Sequence, residues 1–115
     1  SIFDLSEELM DLSSRARSKK LKPDEMKGGT FTLSSLGGIG GTGFSPIVNL
    51  PEVAIMGVSR SAWKQVFDKT SEEFVTRFIM PFSVSYDHRV IDGAAAAIFT
   101  SRFASVLSDL SHFKV

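Results

Sequence analysis

Cysteine is absent from the 115 residues. Disulfides, thiolate metal ligands and a cysteine nucleophile are thereby excluded, and the absence accords with a reducing compartment. Net charge is also missing, because thirteen Lys and Arg balance thirteen Asp and Glu. A protein that grips nucleic acid or an anionic membrane through bulk charge would carry an excess of bases, so neither partner is expected, and any anionic ligand must be held locally. No run approaches the roughly 18 consecutive apolar residues of a membrane span. The opening SIFDLSEELM lacks the basic-then-apolar layout of a signal peptide, and a soluble intracellular protein is the expectation. It also lacks a methionine and starts inside an amphipathic pattern, which reads as a chain that begins mid-protein, whether as a fragment, a processed product or a trimmed piece. There is no internal repeat and no low-complexity segment.

What is present is a core. An apolar fraction of 43% is far above that of disordered chains, and the length suits one compact unit. Ile2, Leu5, Leu9, Leu12 and Ala16 recur at three- and four-residue steps, with Glu7, Glu8, Asp11, Arg15 and Lys19 mostly on other faces. This spacing predicts a surface helix over 2–20. Its acids lie early and its bases (Arg15, Arg17, Lys19, Lys20) late, as the helix dipole favours, and Pro23 should stop it. The segment TFTLSSL, 30–36, reads as a strand entering a glycine loop at 37–46. VAIMGV, 53–58, and the stretch FVTRFIMPFSVSY, 74–86, interrupted by Pro81, are further strand candidates. Thr70 and Glu73 match a capping box, but the β-branched and aromatic residues after them outweigh it, and 68–73 reads as a turn. From Asp92 to about Leu110, Ala95, Phe99, Arg102, Phe103, Val106, Leu107 and Leu110 form one helical stripe. Helices flanking a run of strands, without strict alternation, predict an α+β layered fold.

Residues 38–43, GIGGTG, have the G-x-G-x-x-G spacing of a dinucleotide loop, but the context is wrong. The fingerprint needs a helix whose N-terminus meets the pyrophosphate, and Phe44, Ser45, Pro46, Ile47 and Val48 followed by Pro51 do not start one. A tight glycine turn, or a close backbone approach to another ligand, remains. The segment YDHRVIDG, 86–93, falls where the last strand should give way to the last helix. Histidine is the side chain suited to act as a base near neutral pH, so His88 is a candidate base, although a lone histidine at such a junction can equally be a satisfied polar group. Asp92 reads as the N-cap of the closing helix. A metal at His88 and Asp92 would need Asp87 as well, with no other good ligand nearby, so no metal site is expected. Ser34 and Ser35, taken alone, are turn formers.

YDHRVIDG closely resembles the DHRxxDG signature of the acyltransferases of 2-oxo acid dehydrogenase complexes, a family related in fold to chloramphenicol acetyltransferase. GGTFTLSSLGGIGGTGFSPIVNLPEVAIMGVS, 28–59, is similar to that family's strand, glycine loop and proline-bounded segment in the same order. The resemblance runs over 1–115 and corresponds to the C-terminal part of the family's catalytic domain. The SSLG form of the loop resembles the pyruvate-specific, bacterial members more than the succinyl or branched-chain ones.

The resemblance implies a chloramphenicol-acetyltransferase-like layered sheet with flanking helices, and acetyl transfer between dihydrolipoamide and coenzyme A without an acyl-enzyme. It implies that His88 is the general base, that Asp92 holds the geometry around it, and that Ser34 donates to the oxyanion, with Ser35 as the fallback. Phe44, Ser45 and Met56 fall where the family lines its substrate channel. The implied cofactors are acetyl-coenzyme A as substrate and a lipoyl group carried on a separate domain. The implied partners are two further copies in a homotrimer that builds a larger symmetric core, together with the lipoyl domain and the E1 and E3 components. The compartment would be the bacterial cytoplasm, or the mitochondrial matrix in a eukaryote. Two other readings stay open: an inactive core or subunit-binding module, and a relative that acetylates a small hydroxyl compound. The latter's signature carries a second histidine where Asp87 stands.

Overall fold

The computed structural model describes residues 1–109, 111 and 113. The chain forms two compact units, Ser1–Gly29 with Ala97–Val115, and Thr30–Ala96. Both helices and five strands lie in the order α1 (Ile2–Arg17), β1 (Thr32–Ser35), β2 (Ala54–Val58), β3 (Ala62–Asp68), β4 (Glu73–Ile79), β5 (Phe82–Tyr86), α2 (Gly93–Leu107). The result is a mixed α and β chain with two small sheets. Among the described residues no helix is long and apolar enough to cross a membrane.

In the first unit, α1 begins with a capping box in which Ser1 Oγ accepts the Asp4 amide at 3.3 Å. Arg15 then ties the helix to the 3₁₀ turn after it, donating to Asp11 at 2.8 Å and to Glu25 at 2.6 Å. The helix ends three residues earlier than its periodicity predicts, and Pro23 is not the cause. Lys19 takes a left-handed conformation (φ 56°), and the Lys20 amide turns back to the Arg15 carbonyl at 2.8 Å. This wrap satisfies a carbonyl that the helix would otherwise leave open. Pro23 instead opens the 3₁₀ turn, Pro23–Met26, where its missing N–H costs nothing. The α1 stripe stays open to solvent, with Leu9 68% exposed. At the other end, α2 stops at Leu107, and Leu110 of the anticipated stripe lies outside the described residues.

The second unit is built on β2. This strand pairs parallel with β1 and antiparallel with β5, giving the order β1-β2-β5. Its Ala54, Ile55 and Met56 are buried. They come from the continuous apolar run that marks a strand covered on both faces. The 74–86 stretch is two strands rather than one. It divides at Met80–Pro81, so that β4 joins a hairpin and β5 joins β2. Proline cannot donate to a ladder, and its carbonyl here accepts the Ser59 amide at 3.0 Å.

The hairpin partner β3 is a strand that hydrophobic periodicity did not single out, because Lys64, Gln65 and Asp68 dilute its pattern. Its ladder shows what recruits it: Trp63 faces Phe78 and Phe67 faces Phe74, with ring centroids 5.0 and 5.4 Å apart. Cross-strand aromatic pairs contribute roughly 0.2–1 kcal/mol each. The turn between the strands falls at the predicted place. The Thr70 amide donates to Asp68 Oδ1 at 2.8 Å, and Glu72 holds φ 56°. A left-handed conformation costs a side-chain-bearing residue roughly 1–2 kcal/mol. Glu72→Gly should therefore raise the urea unfolding midpoint by the equivalent of about 1 kcal/mol, and a β-branched residue there should lower it.

Candidate active site

The register of β2 fixes where the site residues point. Successive residues of a strand alternate faces, and paired residues share one. Ser34 pairs with Gly57, and Gly57 pairs with Ser83, so these three lie in a row across one face. Thr32 and Ile55 share that face. The segment after the glycine loop folds over it. Asn49 Nδ2 donates to Thr32 Oγ1 at 3.3 Å, Thr32 Oγ1 donates to Glu52 Oε2 at 2.6 Å, and Ser83 Oγ donates to the Phe44 carbonyl.

Phe44 lies directly on Gly57. A Cβ built at Gly57 would be 2.7 Å from the Phe44 Cζ, closer than side chains pack, so the ring occupies the space that any other residue would fill. The glycine loop itself closes through the Ile39 and Gly40 amides, which both donate to the Leu36 carbonyl at 2.9 and 3.0 Å. Gly40 and Gly41 come next with positive φ and no helix succeeds them. The loop is therefore a turn, as its surroundings imply, and has no helix N-terminus to offer a pyrophosphate.

The two serines part company. Ser35 points to the opposite face and its Oγ accepts the Gly37 amide at 3.4 Å, as a turn former does. It borders a shallow groove shared with Gly37, Ser59, Arg60, Trp63 and Phe78. Ser34 is half-buried beside Gly57, and Ser45 is exposed just beyond Phe44. Met56 does not fit the channel role. It is 1% exposed and lies on the face opposite Ser34, so it offers no surface to a substrate and belongs to the core.

His88 sits in the connection from β5 to α2. Tyr86 is the last ladder residue, paired with Ala54, and the Asp87 amide donates to the Val53 carbonyl at 2.8 Å. The Asp87 carbonyl then accepts the Val90 and Ile91 amides, both at 3.0 Å. The Asp87 carboxylate is gripped by Arg89, with Nε at 2.9 Å and the backbone amide at 2.9 Å on Oδ1 and Nη2 at 2.6 Å on Oδ2. The two neighbours of His88 are thus clamped to each other. The imidazole is exposed, its ring tilted 40° against Tyr86 with centroids 5.7 Å apart. Those guanidinium bonds, with the Arg89 amide second, hold the Asp87 carboxyl down at about 2. Asp92 does what its position implies: Oδ1 accepts the Ala95 amide at 2.7 Å, and its carbonyl accepts the Ala96 amide at 3.1 Å, capping α2. Among the described residues no three His, Cys, Asp or Glu side chains gather as a metal site.

Ser34 and His88 of one chain do not meet. Ser34 stands at Gly57, four residues along β2 from Val53, where the Asp87 turn is anchored. That is about 13 Å of strand. The Ser34 side chain also points to the face opposite Tyr86, against which His88 leans. Sequence reasoning missed three participants: Gly57, Ser83 and the Asp87–Arg89 clamp. Gly57 alone carried a legible signal, because a lone glycine inside an apolar strand marks a close approach.

The architecture has close counterparts. The family model for the 2-oxoacid dehydrogenases acyltransferase (catalytic domain) matches residues 1–114. The acetyltransferase components of the pyruvate dehydrogenase complexes of Pseudomonas aeruginosa and Haemophilus influenzae are 54% and 57% identical over 96% and 95% of this chain. The chain spans only 20% and 19% of their lengths. Among solved structures, an Azotobacter vinelandii dihydrolipoamide acetyltransferase matches with a TM-score of 0.91 and 55% identity over 96% of this chain and 44% of its own. A serine, a histidine and an asparagine were investigated there for their role in catalysis. The cubic core of a pyruvate dehydrogenase multienzyme complex matches with a TM-score of 0.91 and 54% identity, again over 96% of this chain and 44% of its own. On the strength of these matches along nearly its whole length, the chain belongs to the family of 2-oxoacid dehydrogenase acyltransferases.

Proposed function

We propose that this chain supplies both halves of the catalytic apparatus of a dihydrolipoamide acetyltransferase, acting in a pyruvate dehydrogenase complex. The observation that carries the reading is His88, presented exposed on a clamped turn in a chain that matches the acyltransferase catalytic domain from 1 to 114. The relatives named as acetyltransferases support the acetyl group over a longer acyl group. The substrates are then acetyl-coenzyme A and a dihydrolipoyl group delivered by a separate lipoyl domain. The same family relationship supports a chloramphenicol-acetyltransferase-like arrangement for the complete catalytic domain, of which this chain is the C-terminal part.

The reaction exchanges one thioester for another. The attacking thiol loses its proton to the His88 imidazole, acting as general base. The sulfur attacks the thioester carbon, a new C–S bond forms, and the carbonyl oxygen becomes an oxyanion facing the Ser34 hydroxyl. Collapse breaks the old C–S bond, and the imidazolium returns its proton to the departing thiolate. No bond to the protein is made. General base catalysis of this kind contributes roughly 10²- to 10⁴-fold. A donor that meets charge only in the transition state contributes about 2.7–4 kcal/mol.

Because Ser34 and His88 point away from each other within one chain, a complete site takes Ser34 from one copy and His88 from another. The cubic core formed by a relative supports such an assembly, and a homotrimer within it would give each copy one site. E1 and E3 components and a lipoyl domain are the partners that this reading implies. In the Azotobacter vinelandii protein the investigated asparagine follows the histidine by four positions. Asp92 follows His88 by the same step and carries a carboxylate there.

His88→Ala should abolish acetyl transfer while leaving assembly by light scattering unchanged, and turnover at the wild-type rate would remove His88 from its role. Ser34→Ala should lower kcat about 10²- to 10³-fold with little change in KM. An asparagine caps a helix as well as an aspartate does. Asp92→Asn should therefore keep the melting temperature, whereas Asp92→Ala should cost about 0.5–2 kcal/mol of stability.

The clamp has its own pH signature. The Asp87 pKa is depressed on folding, so its contribution is full above the unfolded value of about 3.9 and fades as pH falls toward about 2. Urea midpoints of the wild type and Arg89→Ala should accordingly differ at pH 5 to 7 and converge as pH falls to about 2.

A further inference from the structure

The main chain around His88 is fixed, but its side chain is not fixed by the same bonds. The Asp87 amide on the Val53 carbonyl and the Arg89 clamp hold the backbone on either side of it. A fixed Cα still leaves χ1 three staggered wells, about 120° apart, and a broad χ2. The imidazole is exposed, and among the described residues it makes no hydrogen bond and no ion pair. What it does meet is a ring. Tyr86 lies two residues earlier, where the strand period sends a side chain to the same side, and the two rings stand 5.7 Å apart at 40°. That separation is within the roughly 4.5–7 Å of favourable ring pairs. Tyr86 is itself well seated. It is the last ladder residue of β5, paired with Ala54, and it is half-buried. Its hydroxyl end reaches the first turn of α2, where a Cβ built at Gly93 would be 4.0 Å away. The Tyr86 ring is thus strung between the end of β5 and the start of α2, with the imidazole resting against it.

We propose that Tyr86 is a positioning residue for His88, its ring the platform that selects the side-chain conformation in which the imidazole meets the thiol. The proposal rests on the reading of His88 as the general base. A base must come within about 2.6–3.2 Å of the atom whose proton it takes, and a displacement of about 1 Å can cost about 10²-fold in rate. A change of χ1 well swings the ring much further than that. The clamp places the His88 backbone, and Tyr86 chooses among the wells that the backbone leaves open. The part of Tyr86 that matters is the flat ring, because among the described residues its hydroxyl makes no hydrogen bond. Tyr86 touches the base and no reacting atom, so its effect falls on the chemical step and not on the binding of either thiol substrate.

The test measures kcat and KM for acetyl transfer from acetyl-coenzyme A to free dihydrolipoamide, in the full assembled protein and two variants, with assembly followed by light scattering. Tyr86→Leu keeps an apolar side chain but offers no flat ring, and its kcat should fall by at least about tenfold with KM within about twofold of the wild type. Tyr86→Phe keeps the ring and should restore kcat to within about twofold. If Tyr86→Leu does not assemble, Tyr86→Met, unbranched and equally without a ring, takes its place with the same expected loss. A ringless variant that assembles and keeps the wild-type kcat overturns the proposal. So does a loss confined to KM, which would make Tyr86 a substrate contact, and so does an equal loss in Tyr86→Phe, which would assign the effect to the hydroxyl. Each of these leaves the acyltransferase reading standing. A wild-type assembly that transfers no acetyl group overturns both.

Discussion

The central strand β2 is paired along both edges, parallel to β1 and antiparallel to β5, and the two ladders fix the face on which each candidate residue stands. A slip of one residue in either would turn its strand over. Ser34 would then leave the Phe44 face, or Ser83 would lose the Phe44 carbonyl. The ladder also hands on to the β5–α2 turn through the Asp87 amide and the Val53 carbonyl. From there the Arg89 clamp and the Asp92 cap carry the order into the start of α2. The alignment of Ser34, the seat of Phe44 and the presentation of His88 therefore share one dependence, the hydrogen-bonded register of β2.

That register also accounts for the division of labour between the two serines. Adjacent residues on a strand face opposite ways, so a Ser-Ser pair can give only one hydroxyl to a given face. Ser35 is committed to the turn that launches the glycine loop, and Ser34 is the hydroxyl left on the side where Phe44 lies. The same alternation buries Met56 on the other side. Ser34 stands on one face of this small sheet, and His88, in the turn beyond β5, leans on Tyr86 of the other face, which is the ground for the proposed site shared between copies.

Much of this could be read from the residues, and the limits have physical causes. α1, β1, β2, α2 and the 68–73 turn are legible in the periodicity, and Asp92 as a cap is legible in its place before an alanine-rich helix. The end of α1 was not, because a left-handed lysine leaves no compositional trace of the kind that glycine leaves. β3 was not, because its strand character comes from pairing Trp63 and Phe67 with Phe78 and Phe74, a property of two segments together. The glycine loop was legible as a turn because the element downstream decides the use of such a loop, and no helix follows it here. For the site, His88 is proposed from the DHR signature, whereas the face that each of Ser34 and Ser35 takes and the burial of Met56 are properties of the β2 register that no single residue reveals.

The central claim is that Ser34 of one copy works with His88 of another. Its most direct test is to unfold and co-assemble the two variants Ser34→Ala and His88→Ala, verify mixed assemblies by mass, and measure acetyl transfer. A shared site predicts that the mixture regains activity that neither variant has alone, because some sites then combine an intact Ser34 with an intact His88. Verified mixed assemblies with no more activity than the separate variants would contradict the account and place both residues within a single chain's site.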